Sequence, residues 1–206
     1  KKSALAETPS LLLAARDAGC RRLVYSASSS AYGDQPELPK RETVRPDPLS
    51  PYAVSKVAQT LLCQQYHRSW GVPVVVARAF SHTGPGQDTR FVFPSFAAQI
   101  AAAERGERPA RLEVGNLTAR RDYLDVRDVV AAYRRLRAAG RPGEVYNICS
   151  GQTLTISEGL EILLAAASLP LAVHQDPDRL RPADIPCLWG DPAKLQQETG
   201  WRPVHP

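Results

Sequence analysis

The sequence predicts an α/β fold built on a parallel β-sheet. Candidate strands recur at residues 23–25, 72–79 and 144–148, and the first two are nearly continuous apolar runs. Consecutive apolar residues are typical of strands that are buried on both faces, as in parallel sheets. Segments with helical periodicity separate the strands, and this alternation favours parallel pairing.

Six helices are predicted around these strands. The first covers residues 3–18, where apolar residues recur at helical spacing and Gly19 ends the helix. The second covers residues 51–70 and begins after Ser50, whose side chain is a favoured N-cap. The other helices are predicted over 92–105, 125–140 and 155–168, and from residue 191 onward.

Composition and charge are those of an ordinary globular chain. Of 206 residues, 43% are hydrophobic, and no apolar run is long enough to span a bilayer. The sequence starts without the apolar core of a signal peptide, so we expect a cytoplasmic protein. The net charge of +5 comes from arginines spread along the chain, which favours an anionic small ligand over nucleic acid. Four scattered cysteines indicate reduced thiols rather than disulfides or a metal site.

A tyrosine and a lysine stand four residues apart at the start of the second predicted helix, in Tyr52-Ala-Val-Ser-Lys56. Residues at this spacing lie on one helical face. A nearby cation stabilises phenolate, which makes tyrosine a usable proton donor near neutral pH. The bare pattern often occurs by chance, but here it follows a long loop and precedes a buried strand.

A serine-rich stretch follows the first predicted strand, in Ser26-Ala-Ser-Ser-Ser-Ala-Tyr-Gly33. In open α/β sheets, ligands bind at the carboxyl ends of the strands. A hydroxyl group at this position is able to hydrogen-bond a substrate oxygen, although a serine-rich turn without function is the plainer interpretation. The long loop over residues 27–50 is itself typical of a functional segment.

Together these two motifs resemble the extended short-chain dehydrogenases/reductases. The resemblance implies a Rossmann-like sheet that binds NADP or NAD. It implies that Ser28 aids catalysis, with Ser29 as the alternative hydroxyl that contacts the substrate. It also implies that Tyr52 is the acid/base and that Lys56 holds the nicotinamide ribose and tunes the tyrosine.

The segment Arg78-Ala-Phe-Ser-His-Thr-Gly-Pro-Gly-Gln87 follows the second predicted strand. It resembles a stretch of the GDP-4-keto-6-deoxymannose reductases. Ser81 stands where that family usually has an asparagine that contacts the substrate. By the same resemblance, His82 lies near the cofactor.

Two later segments contain arginines, whose guanidinium groups bind phosphate in a bidentate manner. Related enzymes use the arginine of an Arg-Asp-Tyr stretch for the nucleotide diphosphate, which implies this role for Arg121. The alternative is a surface salt bridge to Asp122 or Asp125. In the same way Arg181 is expected at the diphosphate and Asp184 at the nucleotide.

The resemblance also implies a division of the chain. Residues 1–80 are expected to form the C-terminal half of a dinucleotide-binding domain. Residues 81–206 are expected to form mainly a small lobe that binds the nucleotide-sugar, with the strand near 144–148 returning to the sheet. Enzymes of this kind often dimerise through a four-helix bundle, here through helices 3–18 and 51–70.

The activity implied is reduction of the C4 ketone of GDP-4-keto-6-deoxy-D-mannose to GDP-D-rhamnose. GDP-mannose 4,6-dehydratase is an alternative, but that family has a glutamate base where this chain has Ser30. A UDP-sugar 4-epimerase is a second alternative, because residues 28–40 look more like those enzymes. A truncated, non-catalytic binding subunit is the third.

No Gly-x-x-Gly-x-x-Gly turn occurs in the 206 residues, and neither does methionine. In complete enzymes of this class that turn places the pyrophosphate at a helix N-terminus. We therefore expect sequence to be missing before Lys1.

The first prediction concerns cofactor affinity. Because residues 1–206 lack the glycine turn, this chain alone is expected to bind NADPH and NADH only weakly. Isothermal titration calorimetry measures this affinity directly. Native-like affinity in the isolated chain would contradict the expectation.

Overall fold

The computed structural model describes residues 4–180 and 185–205. Within these residues the helices are α1 (Ala4–Asp17), α2 (Pro51–Trp70), α3 (Val92–Glu104), α4 (Val126–Ala139), α5 (Ile156–Ala165) and α6 (Ala193–Thr199). The strands are β1 (Leu23–Ser28), β2 (Val74–Ala79), β3 (Ser81–Thr83), β4 (Arg111–Val114), β5 (Arg120–Arg121), β6 (Tyr123–Asp125), β7 (Val145–Ile148), β8 (Leu154–Thr155), β9 (Ala172–Gln175) and β10 (Cys187–Leu188).

A parallel sheet of three strands, in the order β1–β2–β7, organises the fold. Leu23 lies opposite Val74 and Ser28 opposite Ala79, so β1 and β2 end at the same level. Every residue of β2 is buried, as its consecutive valines predict for a central strand. The predicted α/β class with a parallel sheet is confirmed.

Helices cover both faces of this sheet. One face packs against α1 and α2 and the other against α4 and α6, because side chains of β2 alternate between the two faces. The core on the first face contains Leu12, Ala27, Cys63, Val72, Val74, Val76 and Val145. The core on the second face contains Val75, Ala77, Ala79, Leu124, Leu136, Tyr146, Ile148, Leu195 and Trp201.

Smaller sheets form the rest of the described chain. β4 pairs in parallel with β9, β3 pairs in parallel with β6, and β5 lies between β8 and β10. A separate apolar cluster packs α3 and α5 against β4. Its buried members are Phe96, Ile100, Leu112, Val114, Ala119, Ile156 and Leu160.

The predicted helices are confirmed, with ends that shift by at most three residues. At the start of α2, the Ser50 side chain accepts a hydrogen bond of 3.1 Å from the backbone N–H of Ala53. The strand predicted over 23–25 continues to Ser28, because backbone pairing with β2 extends past the apolar residues. The sequence analysis missed the short strands β3–β6 and β8–β10, which contain only two to four residues each.

Three further properties of the described residues concern thiols, membrane spans and metal sites. All four cysteines are free thiols. No helix in residues 4–180 and 185–205 combines the length and apolar character needed to cross a membrane. The same residues hold no cluster of side chains suited to a metal ion.

Asp128 joins α4 to the segment that follows α6. Its buried carboxylate accepts hydrogen bonds from the backbone N–H groups of Val204 and His205 and lies 2.9 Å from the His205 ring. Burial by itself would raise the pKa of Asp128, but these hydrogen bonds outweigh it and lower the pKa below the usual value. The ionised carboxylate therefore stabilises the fold.

The second prediction follows from this lowered pKa. The unfolded-state pKa is about 3.9, so the contribution is complete above about pH 5 and is lost as the pH falls through the lower folded-state pKa. Asp128→Asn is expected to lower the free energy of unfolding by about 1–3 kcal/mol at neutral pH. Urea denaturation across pH measures this difference, with exposed Asp17→Asn as the control. A difference that persists unchanged at acidic pH would contradict the assignment.

Candidate functional site

The candidate site lies at the carboxyl ends of β1 and β2, where Ser28 and Ala79 are cross-strand neighbours. A 3-10 turn, Ser29–Tyr32, follows β1 directly, and α2 packs against both β1 and this turn. In a parallel sheet this edge collects backbone and side chains from several loops, which suits it to ligand binding.

The Ser28 hydroxyl is held by its neighbours. It caps the 3-10 turn by accepting a hydrogen bond of 3.3 Å from the Ser30 backbone N–H. Its Oγ also lies 2.8 Å from the Oγ of Ser30. The sequence analysis missed this pair of hydroxyls, although the Ser-x-Ser spacing at the start of a turn is a capping pattern. Ser29 is only 6% exposed, and its substrate contact stays a prediction.

Tyr52 and Lys56 lie on the first turns of α2. The Tyr52 side chain is 57% exposed, and the Lys56 ammonium lies 5.9 Å from the centroid of its ring. The same ammonium donates a hydrogen bond of 3.0 Å to the carbonyl oxygen of Ser26, two residues before Ser28. Partial burial lowers the pKa of Lys56. The structure therefore brings Lys56 to the strand that ends in Ser28, with Tyr52 beside it.

Ser81 and His82 lie on β3, which a single residue, Phe80, separates from β2, and both are half-buried. The His82 Nδ1 is 3.0 Å from the carbonyl oxygen of Phe80. Gln87 donates a hydrogen bond of 3.1 Å to the carbonyl oxygen of His82. These contacts give the segment a defined shape close to the carboxyl end of β2.

Gly84, in the same segment, packs against protein rather than opening onto a cleft. A Cβ atom at this position would come within 2.5 Å of the Val126 side chain on α4. Glycine at positions 84 and 86 would also suit a close approach of the backbone to a ligand. In the structure, close packing against Val126 explains the glycine at position 84. Gly86 has a positive φ of 83°, which favours glycine.

Arg121 lies on β5, opposite Leu188 of β10, and is half-buried. Its Nη1 donates a hydrogen bond of 2.8 Å to the carbonyl oxygen of Arg120. Burial raises the pKa of neighbouring Tyr123 to about 12, although the charge of Arg121 acts in the opposite direction. The predicted Arg181 and Asp184 lie outside the described residues.

Asp122 and Asp125, which lie close to Arg121 in sequence, make other contacts. Asp122 is buried, and its oxygens accept hydrogen bonds from the backbone N–H groups of Ser150, Gly151 and Gly190. Burial raises the pKa of Asp122, and these hydrogen bonds oppose the rise. Asp125 pairs with Arg127 at 2.8 Å. Asp122 therefore links the loop at residues 150–151 to Gly190, next to the strand that contains Arg121.

A buried polar cluster beside the serine turn also escaped the sequence analysis. The Tyr32 hydroxyl donates a hydrogen bond of 2.7 Å to Asn147 of β7, and the Arg78 guanidinium lies 4.6 Å from the Tyr32 ring centroid. The backbone N–H of Asn147 donates a hydrogen bond of 2.8 Å to the carboxylate of Glu42. Burial raises the pKa of Glu42. Lys40, fully buried, donates to the carbonyl oxygen of Gln35 at 2.6 Å.

Comparison with known proteins identifies the family. A family model described as GDP-mannose 4,6 dehydratase matches residues 3–205. The chain belongs to this family. The resemblance to nucleotide-sugar enzymes of the extended short-chain dehydrogenase/reductase type is thereby confirmed.

Three relatives show how close the likeness is. GDP-6-deoxy-D-mannose reductase from Pseudomonas aeruginosa is 46% identical over 182 residues, which cover 87% of this chain and 60% of that protein. The structure of RMD from Pseudomonas aeruginosa, complexed with NADPH, has a TM-score of 0.90 and 42% identity over 97% of this chain and 67% of that one. DesIV, a dTDP-glucose 4,6-dehydratase from Streptomyces venezuelae with NAD bound, has a TM-score of 0.84 and 29% identity over 97% of this chain and 60% of that one.

This family member spans about 60% of the length of the Pseudomonas reductase that it matches. The similarity to these solved structures confirms the Rossmann-like fold class.

Proposed function

We propose that this family member acts in the NAD(P)-dependent reduction of the C4 ketone of GDP-4-keto-6-deoxy-D-mannose to GDP-D-rhamnose. One observation supports the proposal: the Lys56 ammonium, 5.9 Å from the Tyr52 ring centroid, donates a hydrogen bond to Ser26 on the parallel strand that ends in Ser28. The chain that carries them is 46% identical to a GDP-6-deoxy-D-mannose reductase.

Tyr52, Ser28 and Ser30 have different roles in the reduction. Tyr52 donates a proton to the alkoxide that forms at the sugar C4, and its exposed position allows contact with a ligand. The Ser28 hydroxyl donates a hydrogen bond to the same oxygen and stabilises its charge. Ser30, 2.8 Å from Ser28, fixes the orientation of that hydroxyl.

The site suits a nicotinamide cofactor, which supplies the hydride when bound. Within the described residues the Lys56 ammonium donates one hydrogen bond, to Ser26. This leaves N–H groups for the ribose hydroxyls. His82 is proposed to line the cofactor site. The relatives contain NADPH in one case and NAD in another, and we propose either dinucleotide here.

The nucleotide-sugar is proposed to lie against the second part of the chain. Arg121 and Arg181 would bind the diphosphate, Asp184 the nucleotide, and Ser29 and Ser81 the sugar. In this arrangement residues 1–80 contribute to the dinucleotide-binding domain and residues 81–206 mainly to the sugar-binding lobe.

Ser30 favours the reductase over the related 4,6-dehydratases. Elimination of water needs a base that removes the C5 proton, and Ser30 offers a hydroxyl paired with Ser28 where the dehydratases have a carboxylate. A UDP-sugar 4-epimerase is the second candidate, favoured by the likeness of residues 28–40. Epimerisation leaves no net oxidation of the cofactor, so product and cofactor analysis separate the two. Absence of any turnover would favour the non-catalytic binding subunit.

The third prediction tests the acid/base role. Tyr52→Phe is expected to lower kcat for keto-sugar reduction by about 10²-fold or more, because the proton donor is removed. The measurement follows nicotinamide absorbance with GDP-4-keto-6-deoxy-D-mannose as substrate. Tyr66→Phe, on the same helix but packed against Trp70, is the matched control. Equal rates for Tyr52→Phe and wild type would contradict the acid/base role of Tyr52.

We also propose a homodimer formed through α1 and α2. These helices pack against each other and leave large apolar side chains exposed, among them Leu11 at 48%, Val54 at 52% and Leu61 at 56%. Val54 and Leu61 are seven residues apart and therefore share one face of α2. Burying such a face against a second copy stabilises the pair.

The fourth prediction tests this dimer. Leu61→Glu is expected to convert the dimer to a monomer, because it places a charge in the apolar contact. Sedimentation velocity measures the assembly state. Val130→Glu, equally exposed but on α4, is the control and is expected to leave the dimer intact. A wild-type protein that sediments as a monomer would contradict the proposal.

A further inference from the structure

Arg78 is a buried cation that the proposed chemistry does not use. It lies on β2 between Ala27 of β1 and Asn147 of β7, in one row across the sheet. The residue is 3% exposed. This row faces α2, because Val74 and Val76 on the same side of β2 pack in the core with Cys63.

The guanidinium has few compensating contacts. Its Nε and Nη1 are buried and find no hydrogen-bond partner within residues 4–180 and 185–205. The Tyr32 ring, with its centroid 4.6 Å away, faces the cation. Removing a cation from water is costly unless it is compensated, and the face of an aromatic ring provides such compensation. Arg78 and Tyr32 therefore restrain each other.

Tyr32 in turn restrains the serine turn. It is fully buried, ends the 3-10 turn that Ser28 caps, and donates a hydrogen bond of 2.7 Å to Asn147. The turn is short, so a shift of Tyr32 moves Ser28 and Ser30 with it. Ala27 lies opposite Arg78 on β1, and its side chain is too small to take the place of the arginine side chain.

We propose that Arg78 is a positioning residue that, through Tyr32, holds the Ser28–Ser30 hydroxyl pair in its productive geometry. The kinetic part of this inference rests on the proposed reductase function. Its structural part stands on the contacts of Arg78, Tyr32 and Asn147 alone.

The kinetic test uses Arg78→Met, which keeps the length of the side chain and removes the charge. Keto-sugar reduction is expected to show kcat lowered by about ten- to a hundredfold, with KM changed less than about threefold, because a displaced hydroxyl acts mainly in the transition state. Arg78→Lys, which keeps a cation at the Tyr32 ring, is expected to restore most of the rate. Equal defects in the two variants would overturn the role of the charge.

A double-mutant cycle tests whether Arg78 acts through Ser28. Once Ser28→Ala has removed the hydroxyl, Arg78→Met is expected to lower kcat little further. A full, multiplicative loss in the double variant would overturn the inference.

Amide hydrogen exchange tests the structural part in the 206-residue chain without any activity. Arg78→Met is expected to speed exchange at Ser30 and Gly33 by about tenfold, as the turn opens more often. Arg135→Met, an exposed arginine on α4, is the control and is expected to leave these amides unchanged. Unchanged exchange in Arg78→Met would overturn the inference. If the wild type fails to reduce the keto-sugar even at saturating NADPH and NADH, while exchange responds as expected, the proposed function fails and the positioning role stands.

Discussion

The hydrogen bond from the Lys56 ammonium to the carbonyl of Ser26 joins the two elements that carry the candidate chemistry. Ser28 ends a strand and Tyr52 begins a helix, so their relative position depends on how α2 docks against β1. An ammonium that is partly buried needs an acceptor, and the strand backbone supplies one. The lysine thus fixes the helix to the sheet and places a positive charge beside the phenol.

Charged side chains also pack against the central sheet away from bulk water. Arg78 and Lys40 are buried and Glu42 is half-buried. Arg78 is compensated by an aromatic ring, Lys40 by a backbone carbonyl and Glu42 by a backbone N–H. A buried group left without such a partner would destabilise the fold. The same compensation that makes these charges tolerable also holds the loop over residues 34–50 against the sheet, with Lys40 bridging to Gly190.

The sequence predicted the central sheet and the long helices well, because their residues follow strong periods and clear capping signals. The consecutive valines of β2 and the Ser50 cap of α2 are examples. It missed β5, β8 and β10, whose pairing depends on residues far apart in sequence. Tyr52 and Lys56 could be found because helical spacing brings them together. The Tyr32–Arg78–Asn147 cluster could not, because its members belong to three different elements and meet only through the strand register.

We propose that Ser28, Tyr52 and Lys56 act on one ligand. A crystal structure of the protein with a dinucleotide and a GDP-sugar tests it most directly. We expect the Ser28 and Tyr52 hydroxyls both to lie within about 3.2 Å of the oxygen on sugar C4, with Lys56 at the ribose. Hydroxyls that contact different parts of the ligand, or a ligand bound away from the ends of β1 and β2, would contradict it.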